Sequence, residues 1–297
     1  MEVTKPFKIP FDQLSEIYSK MGLPLNFQFT PTKESLYLLA NKFYTAFAYT
    51  ALDLHTKSRR PFPIDLSSLI ERMCTKNLGG MCYEHDLLIY YILKHVGFEV
   101  SFVEVDDITM QKRWINDVVS AHAFVYVELN GKCYIVDPGY GLCGYRYPIE
   151  FDPNKELNEV SLSKEEKYII EAGDDFYSMT SNYPSGDFSL FYTFQRPLIK
   201  RDVSYIEMAY ARLFTTDTFI PIRDSRFYSS TKLDDGVIYL MFIRDADEFV
   251  AFKKELKRGK PVEKQVYKTF EEFREETIRL TGVQVPSRDE IIAKVYE

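Results

Sequence analysis

Residues 79–97 read GGMCYEHDLLIYYILKHVG and set a cysteine, Cys82, between a glycine pair and a run with helical spacing. Leu87, Tyr90, Tyr91 and Leu93 supply the apolar positions of that run, and Gly97 stops it. Cys82 is therefore expected at a helix N-terminus. There the unpaired backbone N–H groups and the helix dipole favour the thiolate, which is the nucleophilic form of the side chain. Gly79 and Gly80 would let a substrate carbonyl approach those donors closely. A cysteine nucleophile needs a base, and the chain holds four histidines, His55, His85, His95 and His122.

A hairpin chooses among them. AFVYVEL and KCYIVD alternate with strand period, and Asn130-Gly131 between them is a strong hairpin signal. A two-residue turn there sets Leu129 opposite Lys132 and, counting back in pairs, Phe124 opposite Asp137. His122 then lies one diagonal step from Asp137 on the same face, roughly 7–8 Å away at the backbone and within reach of a hydrogen bond. An aspartate holding one ring nitrogen leaves the other free to act on a thiol. Each residue also has a bland reading. A lone cysteine is most often a buried thiol, a lone sheet histidine is most often structural, and Asp-Pro-Gly in VDPGYG is turn chemistry by itself. The combination carries the inference.

Metal is not expected, because Cys74, Cys82 and His85 form C-x7-C-x2-H without the paired short spacings of a structural zinc site. Cys133 and Cys143 are expected as small core or surface thiols. DPGYGLCG lacks the following helix and lysine of a phosphate loop.

The elements that must position these residues follow from periodicity. Leu14, Ile17 and Met21, then Leu36, Leu39, Ala40, Phe43 and Phe47, recur at three- and four-residue steps, with Thr32 as an N-cap. DLSSLIERMC gives a third helical segment before the glycines. From Glu99 the period becomes that of strands, beginning with EVSFVEV, and KLDDGVIYLMFI suggests a second hairpin turning at Asp235-Gly236. The chain returns to helix at its end, where Thr269 with Glu272 and Ser287 with Glu290 have the spacing of capping boxes and Gly282 closes the first helix. At 297 residues the chain exceeds the usual single-domain size. The expected class is α+β in three parts: a helical bundle over 1–98 carrying the cysteine, a β-barrel-like domain over 99–205 carrying the histidine and aspartate, and an α/β lid over 206–297. Together they would form a cysteine-protease-like Cys-His-Asp core.

A formal charge of −7 without a basic stripe argues against nucleic acid or an anionic membrane as partner and leaves small molecules. MEVTKPFKIPF has no signal-peptide layout, and the most apolar run, Phe43 to Leu52, is far short of a membrane span. Four cysteines in a long chain suit a reduced, cytoplasmic setting.

At these same residues the chain resembles the arylamine N-acetyltransferases, whose pattern is R-G-G-x-C-x-E-x-N, then a histidine, then D-V-G-F-G. The matching stretches are LGGMCYEHD, His122 in SAHAFVYV, and VDPGYG, with 40 residues from Cys82 to His122 and 15 from His122 to Asp137. PTKESLYLLANKFYTAFAYTALDL, PFPIDLSSLIERMC and KTFEEFREETIRLTGVQV resemble further family segments. The resemblance implies an acyltransferase of xenobiotic metabolism that takes acetyl-CoA as donor, an arylamine or hydrazine as acceptor, and Cys82, His122 and Asp137 as catalytic residues. Met81, Phe124, Gly139, Tyr140 and Gly141 would contribute to substrate binding. The chain departs from the pattern at Leu78, Asp86 and Pro138, where the family has arginine, asparagine and valine, and reads YTALD over 49–53 where the family has F-E-N-L-D. Loss of that arginine and glutamate together fits a neutral core in their place. A thiol hydrolase or transglutaminase-like enzyme and a catalytically silent binding protein on the same fold stay open as alternatives.

Overall fold

Among the described residues, four α-helices precede the main strands. Helices α1 (Phe11–Lys20) and α2 (Lys33–Ala46) turn Ile17, Tyr18, Leu36, Leu39, Ala40 and Phe43 inward. Thr32 caps α2 by accepting the Ser35 N–H at 3.2 Å. Helix α3 (Leu66–Ile70) starts at Asp65, whose carboxylate accepts the Ser68 N–H at 3.1 Å, and continues as one π turn over Glu71–Thr75. Helix α4 (Cys82–Val96) is buried on almost every side and ends at Gly97 in the left-handed conformation, φ 107°. It is the central helix of the molecule, packed against α2, α3 and two strands of the larger sheet.

The computed structural model describes residues 6–55, 61–107, 122–141, 144–164, 166–182, 189–215, 226–233, 235–243, 250–257 and 260–292. Cys143 lies outside them.

The larger sheet holds β2 (Glu99–Asp107), β3 (His122–Leu129), β4 (Lys132–Val136), β5 (Ile149–Phe151), β6 (Leu157–Ser161), β7 (Lys167–Ala172), β8 (Phe176–Ser181) and β9 (Ser189–Gln195) in the order β5-β4-β3-β2-β9-β8-β7-β6, with β10 (Lys200–Arg201) paired to β2. Its end strands β5 and β6 touch, so the sheet is a nearly closed barrel. Alternation along β3 divides its side chains between two cores: Ala123, Val125 and Val127 join the helices, while Phe124 and Tyr126 fill the barrel with Tyr192 and Phe194. Asn130 (φ 53°) and Gly131 (φ 76°) make the expected two-residue turn, and Leu129 pairs with Lys132 and Val125 with Val136.

A second antiparallel sheet, β1 (Tyr49–Thr50), β11 (Arg226–Lys232), β12 (Gly236–Ile243), β13 (Val250–Lys257) and β14 (Glu263–Tyr267), follows in that order. Helix α5 (Val203–Thr215) connects the two sheets along the chain, and α6 (Phe270–Thr281) packs Phe270 and Phe273 on Phe227 and Phe242. The capping box is present: the Thr269 hydroxyl accepts the Glu272 N–H at 3.2 Å, and the Glu272 carboxylate accepts the Thr269 N–H at 3.3 Å. Gly282 closes α6 at φ 71°, and Ser287 engages Glu290 ahead of the short helix α7 (Arg288–Ile292).

Two expectations are revised. The first eighty residues are not wholly helical, because Tyr49 and Thr50 pair with Ser230 and Ser229 as an edge strand of the second sheet. Asp235-Gly236 is not the centre of its hairpin turn. Gly236 is the first residue of β12, and a Cβ there would stand 2.1 Å from the Leu256 carbonyl oxygen, so close strand packing calls for the glycine. Among the described residues no helix is long and apolar enough to cross a membrane.

Candidate active site

The hairpin register delivers the contact that the sequence suggested. The His122 Nε2–H donates to Asp137, with the two carboxylate oxygens at 2.9 and 3.0 Å, and both residues are buried. The other ring nitrogen, Nδ1, faces α4 and lies 3.9 Å from the Asp86 carboxylate. Asp86 sits one helical turn beyond Cys82, the first residue of α4. The backbone after Asp137 also presses on this turn: a Cβ on Gly139 would lie 2.7 Å from the Cys82 carbonyl oxygen and 2.8 Å from Asp86 Oδ1. The hairpin and the start of the Cys82 helix therefore meet.

The remaining histidines lie elsewhere. His95 Nδ1 accepts the Ile9 N–H at 2.9 Å, His55 packs against Phe227, and His85 stands between Phe43 and Tyr49, where burial holds it well below its usual pKa and hence neutral.

Cys82 keeps part of its surface open, but its thiol is not the ready thiolate expected from a helix start. Burial pushes it well above the usual thiol range, and the Asp86 carboxyl pushes the same way. The Tyr83 N–H aimed at the sulfur pulls in the other direction and is outweighed.

The glycine pair also has a different use. Gly79, at φ 67°, runs so close to the preceding strand that a Cβ would stand 2.6 Å from the Ala48 carbonyl oxygen, and a Cβ on Gly80 would meet Met73 at 3.1 Å. Gly80 exchanges backbone hydrogen bonds with Ala48 and Thr50. The pair fits the chain closely to its own Ala48–Thr50 segment and to Met73.

Nor is the core beside Leu78 neutral. Arg72, from the π turn, pairs with Glu84 at 3.2 Å and donates through Nε to the Gly79 carbonyl at 3.1 Å. Glu84 in turn accepts the Met81 N–H at 2.8 Å. A buried ion pair thus fastens the Gly79–Met81 segment from both sides. Lys232, itself buried on β11, donates to the Pro138 carbonyl and lies 4.4 Å from the centre of the Tyr44 ring.

Of the expected substrate-binding residues, Met81 and Phe124 are core side chains, 1% and 0% exposed. Gly139 packs against α4 as described. Tyr140 is half-buried: its hydroxyl donates to the Phe191 carbonyl at 3.0 Å, and its ring centre lies 5.2 Å from that of His122. Gly141, at φ 38°, has open space where a Cβ would be. Asp86, His122 and Asp137 offer atoms within 4.8 Å of one another, a spacing that suits a cation. The His122–Asp137 hydrogen bond already occupies one side of that group.

A barrel-like sheet and a helical core thus meet where the start of the Cys82 helix faces the His122–Asp137 hairpin. The family model described as N-acetyltransferase matches residues 32–240. An arylamine N-acetyltransferase of Mycolicibacterium smegmatis is 28% identical over 146 residues, 47% of this chain and 51% of that protein. The Salmonella typhimurium arylamine N-acetyltransferase structure superimposes with a TM-score of 0.76 at 16% identity, covering 97% of this chain and 99% of its own. The Mycobacterium marinum enzyme in complex with CoA gives 0.74 at 17% identity, covering 95% and 98%. The chain belongs to the arylamine N-acetyltransferase family. Its sequence match spans 43%, 27% and 27% of the length of the first three curated relatives.

Proposed function

We propose that the protein is an acyl-CoA-dependent N-acyltransferase that moves an acetyl or related acyl group from coenzyme A to an arylamine, hydrazine or similar amine. One observation carries the reading: Asp137 holds His122 through Nε2 and turns the Nδ1 edge toward the helical turn that Cys82 begins. In the proposed reaction His122 Nδ1 takes the Cys82 proton as the sulfur attacks the thioester carbonyl. The C–S bond to coenzyme A breaks, and the departing thiolate recovers that proton. The acyl-Cys82 intermediate is then attacked by the amine, whose proton passes to His122 while the Cys82 sulfur leaves. The two halves make the kinetics ping-pong. The N–H groups of the first turn of α4 are the proposed donors to an oxyanion, and the Tyr83 N–H already points at the Cys82 sulfur. The CoA complex of the Mycobacterium marinum relative supports the donor. The Tyr140 ring is the proposed acceptor-side wall, fixed by its hydroxyl at Phe191.

Intact mass after mixing with acetyl-CoA, without acceptor, tests this. An acetyl adduct is expected on the native chain, absent from Cys82→Ala and discharged by an arylamine. No adduct with acetyl-CoA or longer acyl-CoAs would sink the proposal. Gly139→Ala provides a geometric test, because its Cβ would force apart the Asp137 loop and the Cys82 turn. A displacement on the order of 1 Å should slow adduct formation by about 100-fold. An unchanged rate would show that the contact does not position the site.

A further inference from the structure

Asp86 stands where the family pattern has asparagine, is 0% exposed, and has the Gly139 backbone beside its carboxylate. It faces His122 Nδ1 at 3.9 Å, on the side of the ring opposite the Asp137 bond, and is one turn from Cys82 on the same helix. A buried carboxylate in that position must be neutralised by a proton or by a neighbouring cation.

The charged and titratable groups around it settle which. Lys232 approaches from β11, where it is fixed on the Pro138 carbonyl, and Asp137 approaches from the end of β4. On α4 itself, Glu84 is paired with Arg72, and His85 is held neutral by burial. The Tyr145 and Tyr192 hydroxyls beyond Asp137 are kept protonated by burial. Lys232 and Asp137 cancel in charge, leaving Cys82, His122 and Asp86 as the sites where protons can be redistributed. Those three are neutral overall when they share two protons: a thiolate beside an imidazolium then requires Asp86 to be protonated. When Asp86 is ionised, the second proton stays on sulfur.

We propose that Asp86 and Cys82 compete for one proton, so that Asp86 acts as a positioning residue that withholds the thiolate until it has itself been protonated. The exchange breaks the S–H bond of Cys82 and forms an O–H bond on Asp86, with His122 Nδ1 between them and no other reactant involved. Burial and the Asp137 carboxylate together hold Asp86 well above the usual carboxylate range, which favours its taking up a proton. The inference rests on Cys82 being the nucleophile, but its test does not require acetyl transfer.

The test is the pH dependence of Cys82 alkylation by iodoacetamide in the full chain, read by mass at the Cys82 peptide. Wild type should titrate broadly, as coupled sites do. Asp86→Asn removes the competitor and should lower the midpoint by about one pH unit. Lys232→Met removes the cation and should raise it, which keeps the test open if Asp86→Asn does not fold. A midpoint unchanged or raised in Asp86→Asn, or unchanged or lowered in Lys232→Met, would overturn the proposal. Absence of the acetyl adduct with these alkylation shifts intact would instead overturn the acyltransferase reading alone.

Discussion

Asp137→Asn is expected to slow acetylation of Cys82 by about four orders of magnitude while leaving the fold intact, the loss typical when the residue that orients a catalytic imidazole is neutralised. The reason lies in the geometry of one ring. The Asp137 carboxylate only accepts hydrogen bonds, so its contact with Nε2 at 2.9 and 3.0 Å requires the proton on Nε2 and leaves Nδ1 able to accept. An asparagine amide can present an N–H instead. It then favours the other tautomer, with the proton on Nδ1, and the base is lost although every atom is close to its former place. Adduct formation followed by mass under single-turnover conditions, beside a thermal melt, separates the two effects. A fall of less than tenfold would mean that Asp137 is a turn residue after all and that His122 is oriented by other contacts.

The register behind this expectation was legible because it is local. Asn130-Gly131 fixes a two-residue turn, the turn fixes which residues face one another, and the His122–Asp137 contact follows within fifteen residues of chain. The caps at Thr32, Thr269, Gly97 and Gly282 were legible for the same reason. What could not be read depends on segments that meet only in the fold. The use of Gly79 is set by the Ala48 carbonyl, and Lys232 reaches Pro138 across 94 residues. The environment of the Cys82 thiol is hidden for a related reason: the helix start and Asp86 one turn along it are visible in sequence, but the burial that opposes the thiolate is tertiary. The departure at Leu78 looked like the loss of a charge, whereas the charge is supplied by Arg72, which the π turn brings back to the same segment.

That relocated arginine leads to the second large effect. Arg72→Met should destabilise the chain by about 3–5 kcal/mol, because it leaves the fully buried Glu84 carboxylate without its cation. Arg72→Met with Glu84→Gln should recover a substantial part of the loss, since no charge is then stranded, though the Nε bond to Gly79 stays missing. Acid should narrow the deficit. Burial already holds the Glu84 carboxyl above its usual range despite Arg72, and removing the guanidinium raises it further. A carboxyl whose folded pKa lies above its unfolded value adds stability below the unfolded value and loses it as pH rises through the folded one. The Arg72→Met deficit should therefore be smallest near pH ~4 and widen toward neutrality. Urea unfolding across that range measures it, and a deficit independent of pH would assign the whole effect to lost packing. Activity should fall together with stability, because Arg72 on Gly79 and Glu84 on Met81 are what hold the chain in place as it enters the Cys82 helix.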